Sequence, residues 1–264
     1  TAFAAPSTNA QPLHRALQAA RKVPEVTIYF WIIKLLTTGM GETTSDYLAH
    51  QLNPIIAVAI GGICFVAALL LQFSVRRYVH WIYWLAVVMV AVFGTMVADV
   101  LHVGFGIPYV VSATFFAIAL AVIFVAWYVS EKTLSIHTIY TRRRELFYWA
   151  TVVATFALGT AVGDMTATTL GLGYLASGVL FAVLFAVPAV GYRLFGLNEI
   201  FAFWFAYIVT RPLGASFADW MGRSHEFGGL GLGTGEVSLG LAILIAILVA
   251  YLTVSRKDVK GYNS

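Results

Sequence analysis

Four aspartates recur at the same place in a short sequence pattern, and their carboxylates could together bind a cation. Each is the last residue of a Gly-x-x-x-small-Asp motif, and the four motifs are Gly41 to Asp46, Gly94 to Asp99, Gly159 to Asp164 and Gly214 to Asp219. One such motif would mean little in a protein with 23 glycines. Four motifs, each about one helical hairpin from the next, indicate an internal repeat.

Further polar side chains lie near these aspartates. Glu42 precedes Asp46 by one helical turn and His50 follows it by one turn, so all three would share a helix face. His102 follows Asp99 by about one turn. Carboxylates with a few imidazoles suit Mn²⁺, Zn²⁺ or Fe²⁺, whereas oxygen ligands alone would also admit Mg²⁺ or Ca²⁺. We therefore predict a divalent-cation site whose ligands are Glu42, Asp46, Asp99, Asp164 and Asp219, assisted by His50 and His102.

Two cationic residues fall inside the same predicted helices. Lys34 lies two turns before Glu42, and Arg211 lies two turns before Asp219. An unpaired cation within a membrane is unfavourable, so we expect each to pair with a carboxylate. The pair could be a fixed structural contact, or the cation could occupy the acidic site when the ion is absent. The sequence leaves both interpretations open.

The elements that position these residues are predicted to be membrane helices. Of 264 residues 60% are hydrophobic and 11% charged, and the mean hydropathy is +0.85, whereas soluble domains carry about 25% charged residues. The single cysteine, Cys64, excludes a thiolate cluster. Eight segments are long enough to cross a bilayer: 26–49, 53–75, 81–103, 109–130, 147–170, 173–194, 198–222 and 236–255. We predict an all-α integral membrane protein.

The basic residues predict the topology of these segments. Most of the 16 Lys and Arg residues fall in the two tails and in the loops after the even-numbered segments, which places both ends of the chain in the cytoplasm. The net charge of +4 is explained in this way rather than by nucleic acid. The loop 222–236 on the other side is long and glycine-rich, and could be either a lid or a connector.

The predicted organisation is a tail, four repeated hairpins and a second tail. The tail covers 1–25 and includes a short interfacial helix over 13–22; the transmembrane domain covers 26–255, and the C-terminal tail covers 256–264. The repeats cover about 26–75, 81–130, 147–194 and 198–255. Small residues at the motif glycine and four residues later let helices approach closely, so the odd-numbered helices should bring their aspartates together. Alternatively, the aspartates cap the helices at the outer interface, although an acid at the bilayer centre costs roughly 2.5 kcal/mol or more.

Two segments carry a resemblance to known proteins. KVPEVTIYFWIIKLLTTGMGETTSDYL (22–48) and GTAVGDMTATTLGLGY (159–174) resemble a family of uncharacterised bacterial multi-pass inner-membrane proteins. The resemblance implies a bacterial inner membrane and supplies no activity. The repeated Gly-to-acid motif is also similar to that of repeat-built cation exchangers, in which paired repeats place acids at a central site.

These observations favour three functions. No nucleotide-binding loop, nucleophile elbow or HExxH motif is present, so we expect no enzyme activity and no resident cofactor. The first hypothesis is a secondary transporter exchanging a divalent metal ion for protons, because closely spaced desolvated acids cannot all be ionised without a cation. The alternatives are a proton or monovalent-cation channel, and a scaffold or accessory subunit whose acids join helices. Expected partners are the lipid bilayer and an inorganic cation, not nucleic acid; a homo-oligomer is left open.

Overall fold

The computed structural model describes residues 21–259, in which the regular elements are all helical. Eight long helices follow one another: α1 Ile28–Gln51, α2 Pro54–Ser74, α3 His80–Asp99, α4 Tyr109–Glu131, α5 Arg142–Asp164, α6 Gly173–Phe195, α7 Glu199–Gly222 and α8 Thr234–Ser255. The prediction of eight helices is confirmed. The interfacial helix predicted over 13–22 lies almost wholly outside the described residues.

Seven of these helices are long and apolar enough to cross a membrane. The exception within residues 21–259 is α1, whose buried face carries Lys34, Glu42 and several threonines. These polar groups lower the hydropathy of α1, yet they are buried against other helices. The low hydropathy of α1 therefore reflects the polar centre that it helps to build.

Helix α5 begins at Arg142, earlier than the predicted start at 147. The side chain of Thr141 caps the helix by accepting a hydrogen bond from the backbone N–H of Arg144. Glu145 in the first turn is buried, where Lys22 pairs with it and Gln72 donates to it at 3.0 Å. The hydropathy-based prediction omitted this first helical turn because its residues are polar. Their burial depends on ion pairs and hydrogen bonds with residues distant in sequence.

Four helices, α1, α3, α5 and α7, form a closed ring, which we call the inner ring: each packs against the next, and α7 packs against α1. The motif glycines lie at these contacts. A Cβ added to Gly41, Gly159 or Gly214 would clash with the neighbouring helix, and one added to Gly94 would lie 3.3 Å from it. In each case the added Cβ would contact the residue three positions before the motif glycine of the following repeat. These contacted residues are Ala91, Phe156, Arg211 and, for the fourth repeat against the first, Thr38. The inner ring therefore has approximate fourfold symmetry.

The other four helices lie outside the ring. Each packs chiefly on the inner helix that follows it in sequence: α2 on α3, α4 on α5 and α6 on α7, while α8 returns to α1. In the apolar stretches of these outer helices 11–22% of residues are buried, against 56–67% in α3, α5 and α7. The outer helices thus present a largely apolar surface, as a lipid-facing layer requires.

Candidate cation site

The four motif aspartates lie at the C-terminal ends of the inner-ring helices, although only Asp164 and Asp219 belong to the closest group of carboxylates there. Asp46 on α1 and Asp219 on α7 both contact Arg223, at 2.9 and 3.0 Å. The hydroxyl of Ser45 donates to Asp99 on α3 at 3.1 Å. Asp164 at the end of α5 lies near Asp219. Since these contacts join the same end of each helix, the inner-ring helices run in one direction.

Three carboxylates form the centre of the site. Oxygen atoms of Glu42, Asp164 and Asp219, from three different helices, all lie within 4.8 Å of one another. Glu42 is 1% exposed and Asp219 2% exposed, whereas Asp164 is half-buried. Oxygen ligands at 2.0–2.6 Å from a divalent ion lie at most about 5 Å apart. The three groups are therefore close enough to share one cation.

Arg211 lies beside these acids and is fully buried. Its guanidinium donates to Glu42 at 2.5 Å, to the hydroxyl of Thr160 at 2.8 Å and to that of Thr95. Glu42, Thr95 and Thr160 each directly follow a motif glycine. The arginine of the fourth repeat thus bonds to the equivalent position of each of the other three repeats.

Lys34 does not form the expected ion pair. Its side chain is 1% exposed, and its Nζ has no hydrogen-bond partner within the described part of the chain. The ammonium lies 3.8 Å from the ring centroid of Phe156 and 4.2 Å from that of Tyr207, which gives cation–π contacts instead. The reason is that Arg211, one turn nearer the acids, already holds Glu42.

The two imidazoles predicted to assist are engaged elsewhere. His50 is exposed, and its Nδ1 lies 2.6 Å from the backbone oxygen of Asp46. The Nδ1 of His102 lies 2.9 Å from the backbone oxygen of Ile107, and its Nε2 lies 3.3 Å from the hydroxyl of Ser112. Both nitrogens of His102 are therefore occupied away from the acids.

A change of helix type explains the position of His102. The helix continues from α3 as a π-helical turn over Val100–Gly104, and a second π-helical turn, Met165–Thr169, follows α5. The wider π turn rotates His102 towards the chain after it, whereas an α-helical turn would have kept it on the face of Asp99. Each π turn begins at the residue directly after a motif aspartate: Val100 follows Asp99, and Met165 follows Asp164.

Sequence reasoning did not identify Arg223 as part of the site. It directly follows α7, and its ion pairs with Asp219 and Asp46 place it over the acids. Burial opposes its charge, but these two carboxylates raise the pKa of Arg223, so it stays cationic. The one signal available was that Arg223 is the only arginine or lysine in the loop 222–236.

The loop 222–236 folds back over the end of α7. The backbone N–H of Leu230 donates to the oxygen of Trp220 at 2.7 Å, and that of Gly231 donates to the oxygen of Arg223 at 2.8 Å. Gly228, Gly231 and Gly233 adopt positive φ, which favours glycine. The loop is therefore ordered beside Arg223, and whether it acts as a lid or as a connector stays a prediction.

The interior of the ring beyond Arg211 is filled by large side chains. The hydroxyls of Tyr83 and Tyr148 lie 2.5 Å apart, and the buried aromatic side chains that fill this region are Phe30, Tyr83, Tyr148, Phe156 and Tyr207. Asp99 and Asp164 by contrast are only half-buried. The ring is therefore closed off on the side of the acids that lies beyond Arg211.

These features define a class of protein: an all-helical, repeat-built bundle with an acidic centre and an apolar surface. The family model described as Repeat of Unknown Function (DUF347) matches residues 29–78, 82–133, 147–196 and 202–258. The chain belongs to this family, and its four internal repeats are confirmed. Comparisons with curated proteins and with solved structures found no match.

Proposed function

We propose that the protein is a secondary transporter that exchanges a divalent metal ion for protons across the bacterial inner membrane, with both chain ends in the cytoplasm. The observation that supports this most is the convergence of Glu42, Asp164 and Asp219 within 4.8 Å. Hard carboxylate oxygens from three helices favour Mn²⁺, Fe²⁺, Zn²⁺ or a similar cation over soft, thiolate-seeking ions.

The charges around the site support exchange with protons. Three carboxylates, those of Glu42, Asp46 and Asp219, pair with the two guanidinium groups of Arg211 and Arg223. Asp99 and Asp164 bring the number of carboxylates to five. Lys34, deeper in the ring, adds at most one positive charge. Negative charge therefore exceeds positive charge, and in a desolvated site the difference is balanced by a bound cation or by protons. Binding of the metal then releases protons, and the two fluxes are coupled.

The closed interior favours a transporter over a channel. Arg211, Phe156 and Lys34 fill the path beyond the acids, and no continuous opening is needed if the inner-ring helices rearrange around the bound ion. A channel for protons or monovalent ions would require this region to open while the site stays occupied. The two activities differ in stoichiometry, which is fixed in an exchanger.

The proposal is tested by flux in proteoliposomes with Asp164→Asn. An inward Mn²⁺ gradient should drive proton movement, read with a pH-sensitive dye inside the vesicles. We expect wild type to show coupled flux and Asp164→Asn to lose at least about tenfold of it, because one of three ligands no longer carries charge. Glu226→Gln, an exposed acid in the loop over the site, is the matched control and should transport like wild type.

Wild-type flux in Asp164→Asn would contradict the proposal. A purely structural role for the acids would instead show as a lower melting temperature in Asp164→Asn, with no stabilisation of wild type by Mn²⁺. A transporter predicts that Mn²⁺ raises the melting temperature of wild type in a concentration-dependent way, and that this rise is lost in Asp164→Asn.

A further inference from the structure

A cavity lined by several charged side chains lies at the end of the bundle opposite the acids. It has a volume of about 390 Å³ and is bounded by the segment before α1, the α2–α3 loop and the end of α8. Its basic lining residues are Arg21, Arg77, His80 and Arg256. None of these residues belongs to the proposed cation site.

The acids in the cavity wall are already bound to neighbouring groups. Arg21 pairs with Glu25. Asp258, which is 1% exposed, accepts from the hydroxyl of Tyr78 at 2.7 Å and lies 2.9 Å from the Nε2 of His80. Burial and the charge of Asp258 raise the pKa of Tyr78 well above its usual value, so its hydroxyl remains a donor. The two carboxylates are thus held within the wall.

Positively charged donors remain. Within residues 21–259 the guanidinium of Arg77 has no ion pair or hydrogen bond, and the Nε of Arg21 is buried without a hydrogen-bond partner. A buried donor without a partner costs about 1–3 kcal/mol. An acceptor with several oxygens entering the cavity would satisfy Arg21 and engage Arg77 together.

We propose that this cavity binds a phosphate-bearing anion. Guanidinium groups match the geometry of phosphate oxygens and form charge-assisted hydrogen bonds with them. The cavity lies where α3 begins and α8 ends, and at such helix ends basic residues commonly meet anionic lipid headgroups. A lipid headgroup and a free phosphate share this chemistry, and the experiment below distinguishes them.

The test uses the full chain purified in a neutral detergent and calorimetric titration with two probes: dioctanoyl phosphatidylglycerol and inorganic phosphate. Arg77→Ala removes a lining guanidinium. Arg76→Ala, its exposed neighbour outside the cavity lining, removes the same charge and is the matched control. We expect Arg77→Ala to weaken binding of at least one probe by about tenfold, while Arg76→Ala stays within about twofold of wild type.

Each outcome decides the proposal. Loss confined to the lipid identifies a headgroup site, and loss confined to phosphate identifies a site for a soluble anion. Equal effects of Arg76→Ala and Arg77→Ala, or no binding of either probe to wild type, would overturn it. Asp164→Asn should bind both probes like wild type, so failure of cation transport and failure of this site are separable.

Discussion

Arg211 is the residue at which the fourfold symmetry of the inner ring is broken. It donates to the position after the motif glycine in three repeats, and its own repeat has Ala215 there. One fully buried guanidinium therefore holds four helices together. We expect this guanidinium to contribute to the stability of the fold chiefly by neutralising the buried carboxylate of Glu42.

We predict that Arg211→Leu destabilises the protein by about 3–5 kcal/mol, since it leaves the carboxylate of Glu42 buried without its partner. Thermal unfolding in detergent measures the loss. Adding Glu42→Leu should recover part of it, because the uncompensated charge is then also removed. Strictly additive losses in the double variant would show that the two side chains are not coupled.

Lys34→Met is expected to have the opposite effect on stability. The ammonium of Lys34 has two aromatic rings but no hydrogen-bond partner among residues 21–259, and burying such a charge is costly. An apolar side chain of similar length should leave the melting temperature unchanged or raise it. A loss as large as that of Arg211→Leu would instead indicate that Lys34 stabilises the folded ring.

At the scale of helices, the motif glycines set how closely the inner ring packs. A Cβ on Gly214 would overlap the hydroxyl of Thr38, whereas one on Gly240 in α8 would meet nothing within 4 Å. We predict that Gly214→Ala costs about 1–3 kcal/mol through overpacking. Gly240→Ala, the same chemical change on a helix face with open space, should be neutral or slightly stabilising.

Melting temperatures of the two glycine variants, read side by side, check this prediction. Equal stability would mean that α1 and α7 can separate without cost. The flux assay adds a second reading, since moving α7 away from α1 also moves Asp219 away from Glu42.

The sequence predicted the helices well because long apolar segments of the length that spans a bilayer are visible directly in the hydropathy. The Gly-to-Asp motif likewise predicted that α1, α3, α5 and α7 would be neighbours, since small residues permit close approach. It failed where local geometry departs from a regular α-helix, as at His102, which a π turn rotates. Sequence reasoning also failed where interacting residues are distant in sequence. Arg211 forms the ion pair with Glu42, and Lys34 contacts aromatic rings instead.

At the scale of the whole molecule, the first and last helices of the bundle are neighbours. Helix α8 packs on α1, and the backbone N–H of Glu25 donates to the oxygen of Asp258 at 3.0 Å. A circular permutant that joins Val259 to Arg21 by a glycine linker, and so retains Lys22 for its pair with Glu145, should therefore fold when the chain is opened after Lys132. Lys132 is exposed and directly follows α4.

We expect this permutant to melt within a few degrees of wild type, because Arg21 and Val259 line the same cavity and the opened loop lies outside the ring. Size-exclusion chromatography and thermal unfolding provide the measurement. An aggregated permutant would mean that the order of insertion of the helices, and not only their packing, determines the fold.

The arrangement in which each outer helix covers the inner helix after it has a consequence for copy number. In an open array of repeats, a unit can be gained or lost at either end, because each unit touches only its neighbours. Here the outer helix of each hairpin packs on the inner helix of the next hairpin, and the outer helix of the last hairpin packs on the inner helix of the first. Removing one hairpin would expose the inner helix of the neighbouring hairpin and open the inner ring. We therefore expect that the number of repeats cannot change from four without loss of the fold.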